Sequence, residues 1–307
     1  MPTIAMSCLA AGVLSACAGS GALPPSSGFG PAPSLPAPRS PLIPVMGLST
    51  AKGWAVGAKP TATDGTVVTA FAAGLDHPRW LYVLPNGDVL VAETNAPVRP
   101  GDGKGFKNWV KELLMKKTGA SVPSANRITL LRDSTGSGVP DLRTPFLEGL
   151  RSPFGMVLVG HQLYVANADE LVRFPYKEGD TRITAAATHV IDLPGGPINH
   201  HWTKNVVVSP DGSKLYVSVG SNSNAAENGI EVETDRAAIW EVDVETARHR
   251  VFARGLRNPV GMAWEPTGHA LWASVNERDE LGNDLPPDYM TSVKDGVFYG
   301  WPYSYYG

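Results

Sequence analysis

A chain of 307 residues with 43% hydrophobic and 18% charged residues holds enough apolar material for one or two full-sized cores. Its formal net charge of −3, with Lys and Arg scattered along the chain, argues against the basic stripe that nucleic-acid binding needs. The two cysteines, Cys8 and Cys17, exclude a disulfide framework in the folded body. Zinc is equally unexpected, because His200-His201 is the only close histidine pair and the body lacks cysteine.

The opening run MPTIAMSCLAAGVLSACAGSG is apolar, made of small residues, and too short for a spanning helix. It closes on Leu14-Ser15-Ala16-Cys17, which resembles a bacterial lipobox, although no Lys or Arg precedes Cys17. Residues 1–17 are therefore expected to be an export signal with Cys17 as the lipidated residue, giving a periplasmic or membrane-anchored lipoprotein. Residues 18–60, rich in Pro and Gly, read as a tether. The folded domain is expected over 61–307.

In that domain, short β-type runs bounded by turn residues dominate. RWLYVLPNGDVLVAE (79–93) is a hairpin around Pro85-Asn86-Gly87-Asp88, with alternating apolar residues on both sides. GKGFKNWVKELLMKKTGAS (103–121) departs from this pattern, placing Trp109, Val110, Leu113 and Leu114 at helical spacing among lysines, and is expected to be a helix inserted in a loop. The hairpin grammar returns at 154–176, 204–221 and 260–277, and a partial fifth unit follows at 295–307.

Three of these hairpins share a lead-in, Gly-Leu-x-x-Pro, at 74–78, 149–153 and 255–259. Recurrence of one loop ahead of hairpins spaced roughly 40 to 60 residues apart points to the four-stranded blades of an all-β propeller. A β-sandwich would not explain the repeated loop. In a propeller the loops leading into inner strands converge on the axis, so polar residues from different blades can meet around one ligand. The His200-His201 pair precedes such a strand.

INHHWTKNVVVSPDG (198–212), RGLRNPVGMAW (254–264), SVNERDELGNDLPPDY (274–289) and DGVFYGWPYSYYG (295–307) occur in that order. Together, over roughly 65–307, they resemble the glucose/sorbosone dehydrogenase family, and most closely its sorbosone dehydrogenase-type branch, which SANRITLLRD (124–133) also resembles. The resemblance implies a six-bladed β-propeller that oxidises a sugar or aldehyde with pyrroloquinoline quinone (PQQ) and calcium. It casts His201, nine residues before Pro210-Asp211-Gly212, as the general base. Arg257 and Asn258 correspond to the pair that contacts the quinone, while Val260 stands where the family often has glutamine.

The acidic loop Asn276-Glu277-Arg278-Asp279-Glu280 matches the segment that brings oxygens to calcium, through Asn276 and Glu277, and a carboxylate toward the base. Asp279 is the expected carboxylate, with Asp284 and Asp288 in the same loop. Calcium suits an irregular set of carbonyl and carboxylate oxygens. The family's propeller extends past residue 307, so the ring is expected to be truncated at its C-terminus.

The implied reaction is proton removal by a neutral imidazole while hydride leaves carbon for the quinone, with a small sugar or aldehyde as partner and an electron acceptor beyond it. Two alternatives stand beside it. One is a non-catalytic binding propeller that has lost the cofactor; the other is a calcium-dependent lactonase-type hydrolase.

Overall fold

The structure, a computed structural model, describes residues 23–38, 52–55, 57–99, 122–282 and 284–305. The expected signal segment with Cys17 and the expected helix at 103–121 lie outside these residues. In the described part of the tether the regular element is a single 3-10 turn, Pro25–Gly28. No helix among the described residues is long and apolar enough to cross a membrane.

The described chain forms four antiparallel sheets, each a meander in sequence order. The first comprises β1 (Pro78–Val83), β2 (Val89–Glu93), β3 (Arg127–Arg132) and β4 (Leu142–Leu147). The second comprises β5 (Met156–Val159), β6 (Gln162–Ala166), β7 (Glu170–Pro175) and β8 (Thr188–Asp192), and the third β9 (Val206–Val208), β10 (Lys214–Val219), β11 (Ala238–Asp243) and β12 (His249–Arg254). The fourth has three strands, β13 (Asn258–Trp264), β14 (Leu271–Asn276) and β15 (Tyr289–Val293). The hairpins expected at 79–93, 204–221 and 260–277 are the first two strands of blades 1, 3 and 4, while 154–176 spans the first three strands of blade 2. The fold is an all-β propeller with four blades among the described residues.

Period-2 alternation explains how the blades stack. In β6, Leu163 and Val165 face the core shared with blade 1, while Tyr164 and Ala166 face the core shared with blade 3. In β10, Leu215, Val217 and Val219 face blade 2, and Tyr216 faces blade 4. Middle strands are therefore apolar on both faces, which is why QLYVA and KLYVSV read as continuous runs. Each such side chain contributes about 1.5–3 kcal/mol on burial. A two-sheet sandwich would have one shared core; three successive inter-blade cores exclude it.

The lead-in loops carry the chain into their inner strands through a sharp turn. Gly74, Gly149 and Gly255 have φ of 67°, 71° and 75°, a left-handed turn that glycine makes without strain. The leucine that follows docks on the preceding blade: Leu150 N–H donates to Asn126 O at 3.0 Å, and Leu256 N–H to Ala237 O at 3.0 Å. Residues 295–305 form no further hairpin among the described residues. They fold back on β12 and the last lead-in, with Tyr299 N–H on Arg254 O at 2.8 Å and Trp301 N–H on Gly255 O at 3.1 Å.

Candidate active site

At the end of the propeller where inner strands begin, all four blades contribute to one apolar cluster: Trp80 and Ala96, Phe154 and Ala168, Trp202, and Val260. Phe154 lies 5.2 Å from Trp80 and meets Trp202 edge-on at 6.2 Å, ring centre to ring centre, and Val260 packs against them. This accounts for Val260. Its side chain serves the apolar cluster, and its carbonyl oxygen accepts from Asn205 Nδ2 at 2.9 Å. Gly155 allows the same closeness, since a Cβ there would stand 2.5 Å from Val206 N.

His201 sits on this cluster's polar side, just before β9. Its Nδ1 is 2.9 Å from Ser221 Oγ and 3.0 Å from Ser221 O, so Nε2 is the nitrogen left for a ligand. Burial, reinforced by the positive charge of Arg257, pushes the imidazole from 6.5 down to about 2. The ring is neutral at physiological pH. His200 stacks edge-on against it, with centroids 4.7 Å apart.

Asn258, from blade 4, reaches the same place through a missing side chain. A Cβ on Gly220 would stand 2.5 Å from His201 Cβ and 2.6 Å from Asn258 Oδ1, so only glycine lets the two residues flank it. Asn258 Nδ2 donates to Asn276 Oδ1 at 3.4 Å, while its Oδ1 is buried without a hydrogen-bond partner. An orphaned buried acceptor costs about 1–3 kcal/mol unless something fills the role.

Arg257 is nearly buried, at 2% exposure, and all five of its N–H groups are met by protein oxygens. Nε donates to Asn224 O at 3.0 Å, and Nη2 to Asn224 Oδ1 at 2.8 Å and Asp279 Oδ2 at 3.1 Å. Nη1 donates to the carbonyl oxygens of Asn276, at 3.4 Å, and Glu277. Arg257 thus acts as a clasp on the acidic loop. Asp279, expected to face the base, instead engages Arg257, with its side chain 76% exposed. The reason is electrostatic: a buried guanidinium is the strongest available partner for that carboxylate.

The oxygens expected to hold calcium are committed elsewhere. The Asn276 and Glu277 carbonyls face Arg257, and the Asn276 amide donates to Asp288 Oδ2 at 2.9 Å. Burial pushes the Glu277 carboxyl above its usual range, toward the neutral acid. Among the described residues no three His, Cys, Asp or Glu side chains converge as a metal site. Asn276 and Glu277 as placed do not fit a divalent cation.

Sequence reasoning missed a set of basic side chains about the His201-Trp202 segment. Lys204 is fully buried, and its Nζ lies 3.3 Å from His201 O, 3.4 Å from Trp202 O and 3.4 Å from Asn199 Oδ1. Arg236, from the opposite side, donates to Asn199 Oδ1 at 3.0 Å. The Arg79 guanidinium stands 5.8 Å from the Trp202 ring centre, with no carboxylate partner among the described residues. Arg79 keeps much of its surface exposed, yet enough protein crowds it to lower its pKa by desolvation, as burial does for Lys204, Arg236 and Arg257. Asn224, the hub of the Arg257 clasp, was also missed. Its motif GSNSNAAEN leaves the second strand of blade 3 as the acidic loop leaves that of blade 4, and this equivalence was available in the sequence.

The profile of the TrAA12-like family matches residues 137–294, more than half of the chain. A Trichoderma reesei carbohydrate-active enzyme of family AA12 superposes with a TM-score of 0.62 at 18% identity, over 82% of this chain and 62% of that one. The holo form of the pyranose dehydrogenase PQQ domain from Coprinopsis cinerea gives 0.58 at 17% identity, over 76% and 55%. Aldose sugar dehydrogenase YliI from Escherichia coli K12 is 26% identical over 139 residues, 41% of this chain and 36% of that protein. An uncharacterized protein of Borreliella burgdorferi is 24% identical over 164 residues, 50% of this chain and 42% of that one. The chain spans about two fifths of the length of these curated relatives. The solved structures share its propeller fold, and by the profile match the chain belongs to the TrAA12-like family.

Proposed function

We propose that the chain oxidises a sugar or related aldehyde, with His201 as general base and pyrroloquinoline quinone as the hydride acceptor. The observation that carries this reading is the set of basic side chains gathered about the His201-Trp202 segment: Lys204 Nζ lies 3.3 Å from His201 O, Arg236 shares Asn199 Oδ1 with Lys204, Arg79 stands 5.8 Å from the Trp202 ring centre, and the Arg257 charge bears on the imidazole; of the four, only Arg257 has a carboxylate within ion-pair distance among the described residues. Such a site favours a ligand carrying several carboxylates. The family membership and the PQQ named for the Coprinopsis cinerea domain support the choice of quinone.

The donor set fits the organic cofactor better than the metal. Arg79 would meet a cofactor carboxylate, Asn258 would contribute its amide, and Arg257 would act through its charge, since its N–H groups are occupied. When bound, the quinone supplies two-electron acceptance. His201 Nε2 takes the substrate hydroxyl proton, and the axial aromatic cluster closes the site from one side against water. An anionic ligand would also offset the cations and raise the imidazole toward a more effective basicity. Six blades and a sorbosone-type substrate, which the sequence resemblance implies, stay part of this reading, as does lipidation at Cys17; Cys17→Ser should move the protein from the membrane to the soluble fraction.

The test is titration of the purified chain with the quinone, with and without calcium, followed by dye-coupled oxidation of a panel of aldoses and aldehydes. Saturable binding with turnover, lost by on the order of 100-fold or more in His201→Ala, is expected. Full turnover by His201→Ala with cofactor bound would sink the assignment. A second reading, a binding propeller without catalysis, draws on the saturated N–H groups of Arg257 and the apolar Val260. It predicts ligand binding with no oxidation of any substrate in the panel.

A further inference from the structure

His201 is held from one side, by a single turn. The Ser221 hydroxyl has one proton, and it is donated to the Ser223 carbonyl oxygen at 2.6 Å. Both Ser221 oxygens therefore face His201 Nδ1 as acceptors, which places the ring proton on Nδ1 and the lone pair on Nε2. The turn is anchored in its own right. Glu233, from the 3-10 turn Ile230–Glu233, is 7% exposed, and its two carboxylate oxygens are both used: one accepts from Asn222 N–H at 2.7 Å, the other from the Ser223 hydroxyl. Ser223 Oγ in turn accepts from Ala226 N–H at 2.9 Å.

We propose that Glu233, acting through the Ser221–Ser223 turn, is a positioning residue that fixes the tautomer of His201 and makes Nε2 the basic nitrogen, an inference that rests on reading His201 as the base. An imidazole left to itself prefers its proton on Nε2, the nitrogen that must be bare to accept a proton from substrate. The two Ser221 acceptors reverse that preference, and they face Nδ1 together only while the turn keeps its shape. Removing the carboxylate leaves Asn222 N–H and the Ser223 hydroxyl to find other partners, and the turn relaxes. Glu233 makes no hydrogen bond to the imidazole; its carboxylate holds the turn through Asn222 N–H and the Ser223 hydroxyl, and its charge also bears on Arg236.

The experiment uses the full chain labelled with 15N-histidine and free of cofactor, in which long-range 1H–15N spectra report which ring nitrogen is protonated; the His201→Gln spectrum identifies the resonance. Wild type should show the Nδ1–H form. Glu233→Ala should show the Nε2–H form, and the loaded protein should lose kcat on the order of 10- to 100-fold with KM changed less than about twofold. Glu233→Gln, which keeps one acceptor, should recover most of both. If Glu233→Ala fails to fold, Ser221→Ala decides, since it removes one acceptor and leaves the backbone; a mixture of tautomers is expected. Retention of a pure Nδ1–H form in the folded variants, or an Nε2–H form in wild type, overturns the proposal. The spectra need no turnover, so a failure of the base assignment, seen as an active His201→Gln protein, is read separately.

Discussion

The lead-in loops of the first and fourth blades are built on one sequence frame and closed by opposite charges. In blade 1 the third residue of the frame is Asp76, and the arginine comes from β3: Arg127 binds Glu93 at 2.9 Å and Asp76 at 2.7 Å. Glu93 is fully buried and accepts from Arg127, Thr129 and the Asp76 N–H. There the cation meets carboxylates directly, and hydrogen bonding to Glu93 raises the Arg127 pKa. In blade 4 the third residue is Arg257 itself, met mostly by neutral oxygens, and burial lowers its pKa. The first arrangement cancels its charge on the spot. The second leaves charge to act on His201, which marks blades 3 and 4 as the functional side of the molecule.

Substitutions should separate the two clasps. Glu93→Ala breaks a buried ion pair and should cost about 3–5 kcal/mol in urea unfolding, with the titration of His201 unchanged. Arg257→Met should cost less, about 3 kcal/mol, because several of its acceptors are carbonyls that can recruit water, but it should raise the His201 pKa measured by NMR. If both variants move His201 alike, the contrast between the blades is false.

Acid should also distinguish them. His201 sits at about 2 in the folded state against 6.5 when unfolded, so the unfolded chain binds the extra proton between these values. Stability is full above about pH 6.5 and falls as pH drops toward 2, and His201→Gln should flatten the upper part of that slope. Glu93, lowered in the folded state from 4.5, adds its loss only below that value, so its removal should leave the slope above pH 5 intact. The smallest effect belongs to Asp279→Asn, whose exposed carboxylate should contribute less than about 1 kcal/mol.

The contrast also shows what a sequence displays and what it hides. The hairpins were legible because a left-handed glycine, Gly87 or Gly212, sits between alternating runs, and each signal lies within a few residues of its cause. The Gly-Leu-x-x-Pro frame was legible through repetition. Partners across strands were not: Glu93 meets Arg127 34 residues away through β2–β3 pairing across a long connection, and Arg257 meets Asn224 33 residues away where blades 3 and 4 meet. Asp279 and the carbonyls of Asn276 and Glu277 were picked out as a group, and the structure does bring them together, around a guanidinium. Lys204 looked like an ordinary charged residue next to a strand. Its burial follows from the turn at His201, which no local pattern announces.

Gly220 has a further consequence, in the order of folding. His201 belongs to blade 3 and Asn258 to blade 4, and the two come together across a backbone with no side chain between them. Each blade can pair its own strands from local contacts, but the site exists only once the two have docked, a step later than hairpin formation. A ligand that needs both residues therefore binds no half-assembled chain, and its binding rate during refolding would serve as a clock for blade docking. A methyl group at position 220 would stop that clock while leaving every hairpin in place.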